Sequence, residues 1–246
     1  MQQSLFQITE NTPLTETVWR MRLTGNTSAI TVPGQFVNLK IGGLFLRRPI
    51  SVCDCVGDTL TLVYKVVGHG TEKMKGMQAG EMLDILTGLG NGYDLTPVRE
   101  HALLLGGGVG VPPLYMLAKR LIAEGKRVSV ILGFNTKAEV FYEEEFRALG
   151  AACVTVATAD GSYGVRGFVT DAMAGIDYDY FFTCGPEPML RAVYRATATE
   201  GQFSFEERMG CGFGACMGCS CKTVTGYKRI CKEGPVLKKE EILWQN

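Results

Sequence analysis

Apolar and polar residues alternate through the first hundred positions with the period of two that a half-buried strand requires. Residues 4–10, 16–23, 35–40 and 59–67 carry Val, Ile, Phe, Trp and Tyr in this way, separated by punctuation such as Pro33-Gly34 and Gly42-Gly43. No long helical repeat interrupts them before residue 110, and strands at this spacing predict a small antiparallel barrel. Beyond Pro97 the rhythm changes. Residues 102–105 form a continuous apolar run, a glycine-rich turn follows, and then Leu114, Leu117, Ala118, Leu121 and Ile122 recur at helical spacing. Pro112-Pro113 is tolerated in a first helical turn. Residues 128–132, 153–157 and 180–183 read as further buried strands, and 140–149 and 186–199 as helices. This βαβ alternation predicts a parallel sheet wrapped by helices. From Gln202 the pattern stops, and a Gly- and Cys-rich segment with few large apolar side chains runs to a charged end. The expected fold class is therefore multidomain, β followed by α/β: a barrel over 1–97, a nucleotide-binding unit over 98–202 and a small C-terminal unit over 203–246. The last has too little apolar surface to fold unaided, so a metal cofactor is expected to stabilise it.

Composition narrows the function classes. Among 246 residues, 25 Lys and Arg balance 25 Asp and Glu. With no basic excess to exchange for a phosphate backbone's counterions, nucleic-acid binding is not expected. The apolar uncharged stretch 102–118 contains four Gly and two Pro and is too short and broken to span a bilayer. Residues 1–15 show no basic start followed by an apolar run, so no secretory signal is expected and the location is read as cytoplasmic. Nine cysteines, an odd number, argue against a simple disulfide framework. Cys211, Cys216, Cys219, Cys221 and Cys231 crowd into 21 residues, which in a reducing compartment points to metal or redox chemistry.

Four of these thiols follow the spacing C-x4-C-x2-C-x11-C, the plant-type [2Fe–2S] arrangement, on Cys211, Cys216, Cys219 and Cys231. Gly212, Gly214 and Gly218 let the backbone wrap closely and aim amides at the sulfurs. The alternative is a structural zinc knuckle, although zinc sites usually offer two C-x2-C pairs. Cys221 is read as a bystander or a substitute ligand. Cys53, Cys55 and Cys153 fall in strand-like runs and are expected to be small core residues. Phe213 and Met217 flank the ligands, either as partner-facing contacts or as a shield. Elsewhere, Leu46-Arg47-Arg48-Pro49-Ile50-Ser51 follows Pro33-Gly34-Gln35-Phe36, and Val63-Tyr64-Lys65 precedes Gly68-His69-Gly70-Thr71. Gly106-Gly107-Gly108-Val109-Gly110 lies between a strand and a helix, where amides and the helix's positive end meet a dinucleotide pyrophosphate. Cys184-Gly185-Pro186 ends a later strand. After residue 133 only Lys137 stands where a 2′-phosphate would want an arginine pair, so NAD is favoured over NADP.

This set of motifs, in this order, resembles the ferredoxin–NAD(P)H reductase superfamily. With its short cluster tail the chain looks like the electron-transfer subunits of type B dihydroorotate dehydrogenases. The resemblance covers nearly the whole chain, including Gly88-Leu89-Gly90-Asn91-Gly92, where Leu89 departs from expected proline-containing variants, and Asp160-Gly161-Ser162-Tyr163-Gly164. It implies FAD along Arg48, Pro49, Ile50 and Ser51, with Val63, Tyr64, Lys65, Gly70 and Thr71 as the second contact stretch and His69 as a turn residue. It implies NAD against Gly107, Gly108, Val109, Gly110, Cys184, Gly185 and Pro186. Ser51 near the isoalloxazine and Cys184 near the nicotinamide are the implied catalytic pair. Substrate chemistry falls to a separate FMN-containing catalytic subunit, in an expected two-plus-two heterotetramer serving de novo pyrimidine (UMP) biosynthesis. Its electrons pass singly to the [2Fe–2S] cluster, then to FAD, and leave as hydride to NAD⁺. Reductase subunits of sulfide dehydrogenases and electron-bifurcating transhydrogenases share this plan and are the alternative.

Overall fold

In the computed structural model, which describes residues 1–244, the alternating N-terminal segments become six strands. They are β1 (Gln2–Pro13), β2 (Val18–Thr24), β3 (Phe36–Lys40), β4 (Arg48–Val56), β5 (Thr59–Lys65) and β6 (Met82–Leu89), with a short helix α1 (His69–Lys75) before β6. They close in the order β1-β2-β5-β4-β3-β6, every neighbouring pair antiparallel. Closure accounts for the alternation. Phe6, Ile8, Met21, Leu23, Val37, Leu39, Leu60 and Leu62 fill the interior at no more than 1% exposure, and the closed order leaves no open sheet edge.

The second unit supplies β7 (His101–Gly107), α2 (Pro113–Ala123), β8 (Arg127–Phe134), α3 (Glu143–Ala148), β9 (Cys153–Thr158), β10 (Val165–Arg166), β11 (Tyr180–Cys184), α4 (Glu187–Ala196) and β12 (Gly201–Ser204). Its strands are parallel in the order β10-β9-β8-β7-β11-β12. Successive residues of β7 serve opposite faces. Leu104 packs with Leu114, Leu117 and Phe146 of α2 and α3, whereas Leu103 and Leu105 pack with Leu190 and Val193 of α4. Burial on both faces is why this strand reads as an unbroken apolar run. Helix α3 is shorter than the 140–149 expected. Tyr142 adopts a left-handed conformation (φ 67°), so the helix starts only after it, with Glu143, Glu144 and Glu145 at its positive end.

The tail does not stand apart. It contributes a hairpin, β13 (Ser220–Thr223) with β14 (Gly226–Arg229), and a last strand, β15 (Val236–Lys238), which pairs antiparallel with β12 at the sheet's edge. Strand β12 itself runs across the expected division at 202, and residues 245–246 of the expected third unit lie outside the described residues. Cys219, Ile230, Cys231 and Leu237 bury themselves against Phe36, Leu86 and Leu89 of the barrel and Leu103, Leu105 and Phe203 of the sheet. The apolar surface that this segment lacks is thus lent by its two neighbours.

The same economy joins barrel and sheet. Helix α2 packs on β4, with Lys119 Nζ 2.9 Å from Asp54 and the Cys53 thiol 3.3 Å from the Tyr142 hydroxyl. Cys53 is a fully buried core residue, as expected, and Cys55 is half-buried. Cys153 is exposed, a correction to the core position read from sequence. It opens β9, whose outer neighbour β10 is two residues long and pairs only with Ala157 and Thr158, so nothing covers the strand's first half.

Candidate functional site

A cleft of about 2260 Å³ runs between the barrel wall and the ends of the parallel strands. Strand order accounts for its place. From β7 the chain steps to β8 on one side and β11 lies on the other, so the turns after β7 and β11 diverge around a crevice at the strands' carboxyl ends. These are Gly106–Gly110 and Cys184–Pro186. The two turns pack tightly: a Cβ on Gly110 would lie 2.2 Å from the Cys184 carbonyl oxygen, so only glycine permits the approach.

The structure brings both predicted halves into this one cleft. From the barrel, Arg48, Pro49, Ile50 and Ser51 of β4, Val63, Tyr64 and Lys65 of β5, and Thr71 line it; from the sheet, Gly107, Gly108, Val109, Gly110, Cys184, Gly185 and Pro186 do. Gly70 is the exception, buried behind the Arg48 side chain. The Tyr64 phenol turns into the barrel, where its hydroxyl donates to Asn11 Oδ1 at 3.0 Å, and burial pushes it up to about 12. Thr71 braces the turn before α1, its hydroxyl accepting from the amides of Val67 and Gly68 at 3.0 and 3.2 Å. His69 is exposed on the first turn of α1. Burial pushes the Cys184 thiol up to about 12, against a hydrogen bond with Ser204. Cys184 is therefore a neutral thiol at physiological pH, suited to packing against a ring rather than to nucleophilic attack.

The roles of two residues escaped the sequence reading, one in the cleft and one outside it. Glu139, just beyond β8, accepts from the Asn135 amide at 3.2 Å and from Asn135 Nδ2 at 2.9 Å, which holds a carboxylate at the cleft wall. A short acidic residue after the second strand is the available signal. Asn91, in the turn after β6, is the other kind of omission. Its side chain donates to the carbonyls of Glu233 and Val236 at 3.1 and 2.7 Å and accepts from Val236 N at 3.1 Å, clamping the tail to the barrel. Its partners are more than 140 residues away, and no local pattern encodes them.

The four predicted ligand thiols stand as two neighbouring pairs, Cys211 beside Cys216 and Cys219 beside Cys231. Among the described residues no three Cys, His, Asp or Glu side chains close on a single point. Cys219 and Cys231 are 2% exposed, whereas Cys216 is open to solvent, so the thiols straddle the surface. Burial works against the Cys211 thiolate, but amides of Phe213, Cys216 and Ala215 together outweigh it and bring the thiol down to about 6. The Ala215 amide lies 3.2 Å from its sulfur. Cys231, beside the Cys219 sulfur, is instead raised to about 12, with burial the largest cause. Thiols in pairs, with amides turned towards sulfur, fit an iron–sulfur cluster's four thiolates. Cys221 lies on the cleft wall, and burial raises its thiol.

A flavin-type barrel wall, a dinucleotide turn facing it and a paired-thiol tail define an iron–sulfur flavoprotein reductase. Two family models agree: the iron-sulfur cluster binding domain of dihydroorotate dehydrogenase B matches residues 206–243, and the oxidoreductase NAD-binding domain matches 104–195. The chain is 41% identical to the dihydroorotate dehydrogenase B (NAD(+)) electron transfer subunit of Fusobacterium nucleatum, over 96% of each chain. It is 46% identical to the one of Bacillus cereus, over 86% of each. It belongs to this family of electron-transfer subunits. Among solved structures, an NADH-dependent reduced ferredoxin-NADP oxidoreductase superposes with a TM-score of 0.88 at 29% identity, covering 97% of this chain and 90% of that one. The cofactors are FAD, a [2Fe–2S] cluster and NAD. No described helix is long and apolar enough to cross a membrane.

Proposed function

We propose that this chain passes electrons from the FMN of a dihydroorotate-oxidising catalytic subunit to NAD⁺, in a two-plus-two heterotetramer of the pyrimidine pathway. The observation that carries the reading is the continuity of the site: both cofactor walls line one cleft, and the cluster tail is buried against the same barrel and sheet. We place the protein in the cytoplasm, where its thiols stay reduced.

In this reading Arg48 holds the FAD pyrophosphate by charge-assisted hydrogen bonds. Pro49 and Ile50 line the flavin's face, Ser51 lies at the isoalloxazine edge, and Val63, Tyr64 and Lys65 support the ring from β5. Gly70 and Thr71 shape the turn against the pyrophosphate. On the opposite wall Gly107, Gly108, Val109 and Gly110 take the NAD pyrophosphate, while Cys184, Gly185 and Pro186 position the nicotinamide. Glu139 accepts from the adenosine ribose and repels a 2′-phosphate. Cys211, Cys216, Cys219 and Cys231 hold the cluster. Bound FAD supplies the conversion between one-electron and hydride chemistry. The barrel over 1–97, the nucleotide unit over 98–202 and the tail over 203–246 divide these tasks.

The likeness to the ferredoxin-NADP oxidoreductase favours a second reading, service to a different flavoenzyme. The test is the visible spectrum of anaerobically purified protein, with iron and sulfide counted, before and after NADH, followed by reconstitution with a dihydroorotate-oxidising FMN subunit. Flavin and cluster bands that NADH bleaches, and dihydroorotate-dependent NADH formation on adding that subunit, are expected. A colourless zinc protein sinks the relay. An active diaphorase that no such subunit can drive leaves the relay and removes the partner.

A further inference from the structure

Asn38 lies on β3, opposite Pro49 of the flavin-side strand on one flank and Leu86 of β6 on the other. Its neighbours Val37 and Leu39 point into the barrel, so Asn38 points out, onto the face that the cluster tail covers. It is 1% exposed. Its Nδ2 donates to the backbone carbonyl of Cys211 at 3.1 Å, and no other barrel side chain among the described residues bonds to the cluster loop 211–219. The next residue, Gly212, is pressed onto it: Gly212 has φ 79°, and a Cβ there would sit 2.4 Å from Asn38 Nδ2. The Asn38 carboxamide oxygen is buried with no hydrogen-bond partner in the protein. A buried polar side chain costs stability unless it is satisfied. An apolar residue of the same shape would suit a purely structural position better.

We propose that Asn38 is a positioning residue that fixes the first cluster ligand's segment against the flavin strand and thereby governs the one-electron step between flavin and cluster. The inference rests on the cofactor assignment above. Asn38 touches neither the cleft nor a thiol. It acts by holding the Cys211 carbonyl, and with it the Cys211 side of the cluster, at a set distance from Pro49 and Ser51. The hydride step across the cleft does not depend on it, because the nicotinamide wall is carried by β7 and β11. The partnerless oxygen makes Asn38 asymmetric. Its donor end is committed to the loop, and its acceptor end has no partner in the protein.

The test compares Asn38→Leu, which keeps volume and removes both polar ends, with Asn38→Asp, which keeps acceptors and removes the donor. Gly212→Ala pushes the same loop off the barrel by crowding Asn38 while leaving residue 38 itself unaltered. Each is measured as anaerobic holoenzyme by stopped flow with NADH, following flavin bleaching and cluster reduction separately, and by the electron paramagnetic resonance spectrum of the reduced cluster. Flavin bleaching within twofold of the unaltered protein is expected, with cluster reduction slowed at least about tenfold, as a misplaced reacting group implies. An altered resonance spectrum is expected in all three variants. If Asn38→Leu retains flavin but loses iron, the tether is essential to the loop and Gly212→Ala carries the rate comparison. Cluster reduction and spectrum unchanged in both Asn38→Leu and Gly212→Ala overturn the proposal. Unaltered protein lacking flavin or iron overturns instead the reading beneath it.

Discussion

The barrel and the cluster tail solve the same folding problem in opposite ways. The barrel closes on its own strands and fills its interior with its own side chains, Phe6, Met21, Leu39 and Leu62 among them. The tail buries Cys219, Ile230, Cys231 and Leu237 against Phe36 and Leu86 of the barrel and Leu103 and Phe203 of the sheet. Asn91 and Asn38 then fasten it by hydrogen bonds. The difference teaches where a short redox module gets its stability: from a host surface and from the metal its thiols bind. It also packs the cysteine loop directly on the barrel without any linker between folded units.

That contrast can be broken most sharply at a ligand. Cys231→Ser should abolish cluster binding, measured as iron and acid-labile sulfide, while the barrel retains flavin and NADH still bleaches it. Loss of flavin together with iron would show that the barrel depends on the tail as much as the reverse. A pair of core truncations is the next largest effect. Leu39→Ala and Leu237→Ala should each cost about 2–5 kcal/mol, read by urea unfolding. The first should release flavin before iron, and the second iron before flavin.

Specificity sharpens the picture of the cleft. Glu139→Ala should bring 2′,5′-ADP binding closer to that of 5′-AMP by about tenfold, which calorimetry reads and which about 1.4 kcal/mol supplies. A further effect concerns pH and is confined to the alkaline range. Burial raises the Cys53 thiol to about 12, so the fold binds a proton that the unfolded chain has released. The stability this lends is whole below about pH 9 and is lost as pH rises towards 12. Cys53→Ala should flatten that alkaline decline in urea midpoints. Cys184, likewise raised to about 12, preserves part of it.

Local pattern made much of this molecule legible. Period-two alternation marked four barrel strands, the apolar run at 102–105 marked the central strand of the sheet, and thiol spacing singled out the cluster. Strands β4 and β6 were not marked as strands because their ends carry binding and turn residues rather than clean alternation. The candidate nucleotide-binding residues stand in the sequence as short motifs. That the same cleft would receive them from β4, β5, β7 and β11 depends on strand order, which no single motif contains.

By itself the sequence determined the two kinds of sheet, the glycine turns and the thiol set, because each depends on residues within a few positions of one another. Tertiary structure alone decided which surfaces the tail packs against, that β15 returns to pair with β12, that Asn38 and Asn91 bond to the tail, and that Glu139 faces the cleft. Asn38 and Asn91 meet their partners across 173 and 142 residues of chain. Only the closing of the barrel and the reversal of strand order bring such positions together, so the contacts that join the barrel to the cysteine-bearing tail are written in the fold.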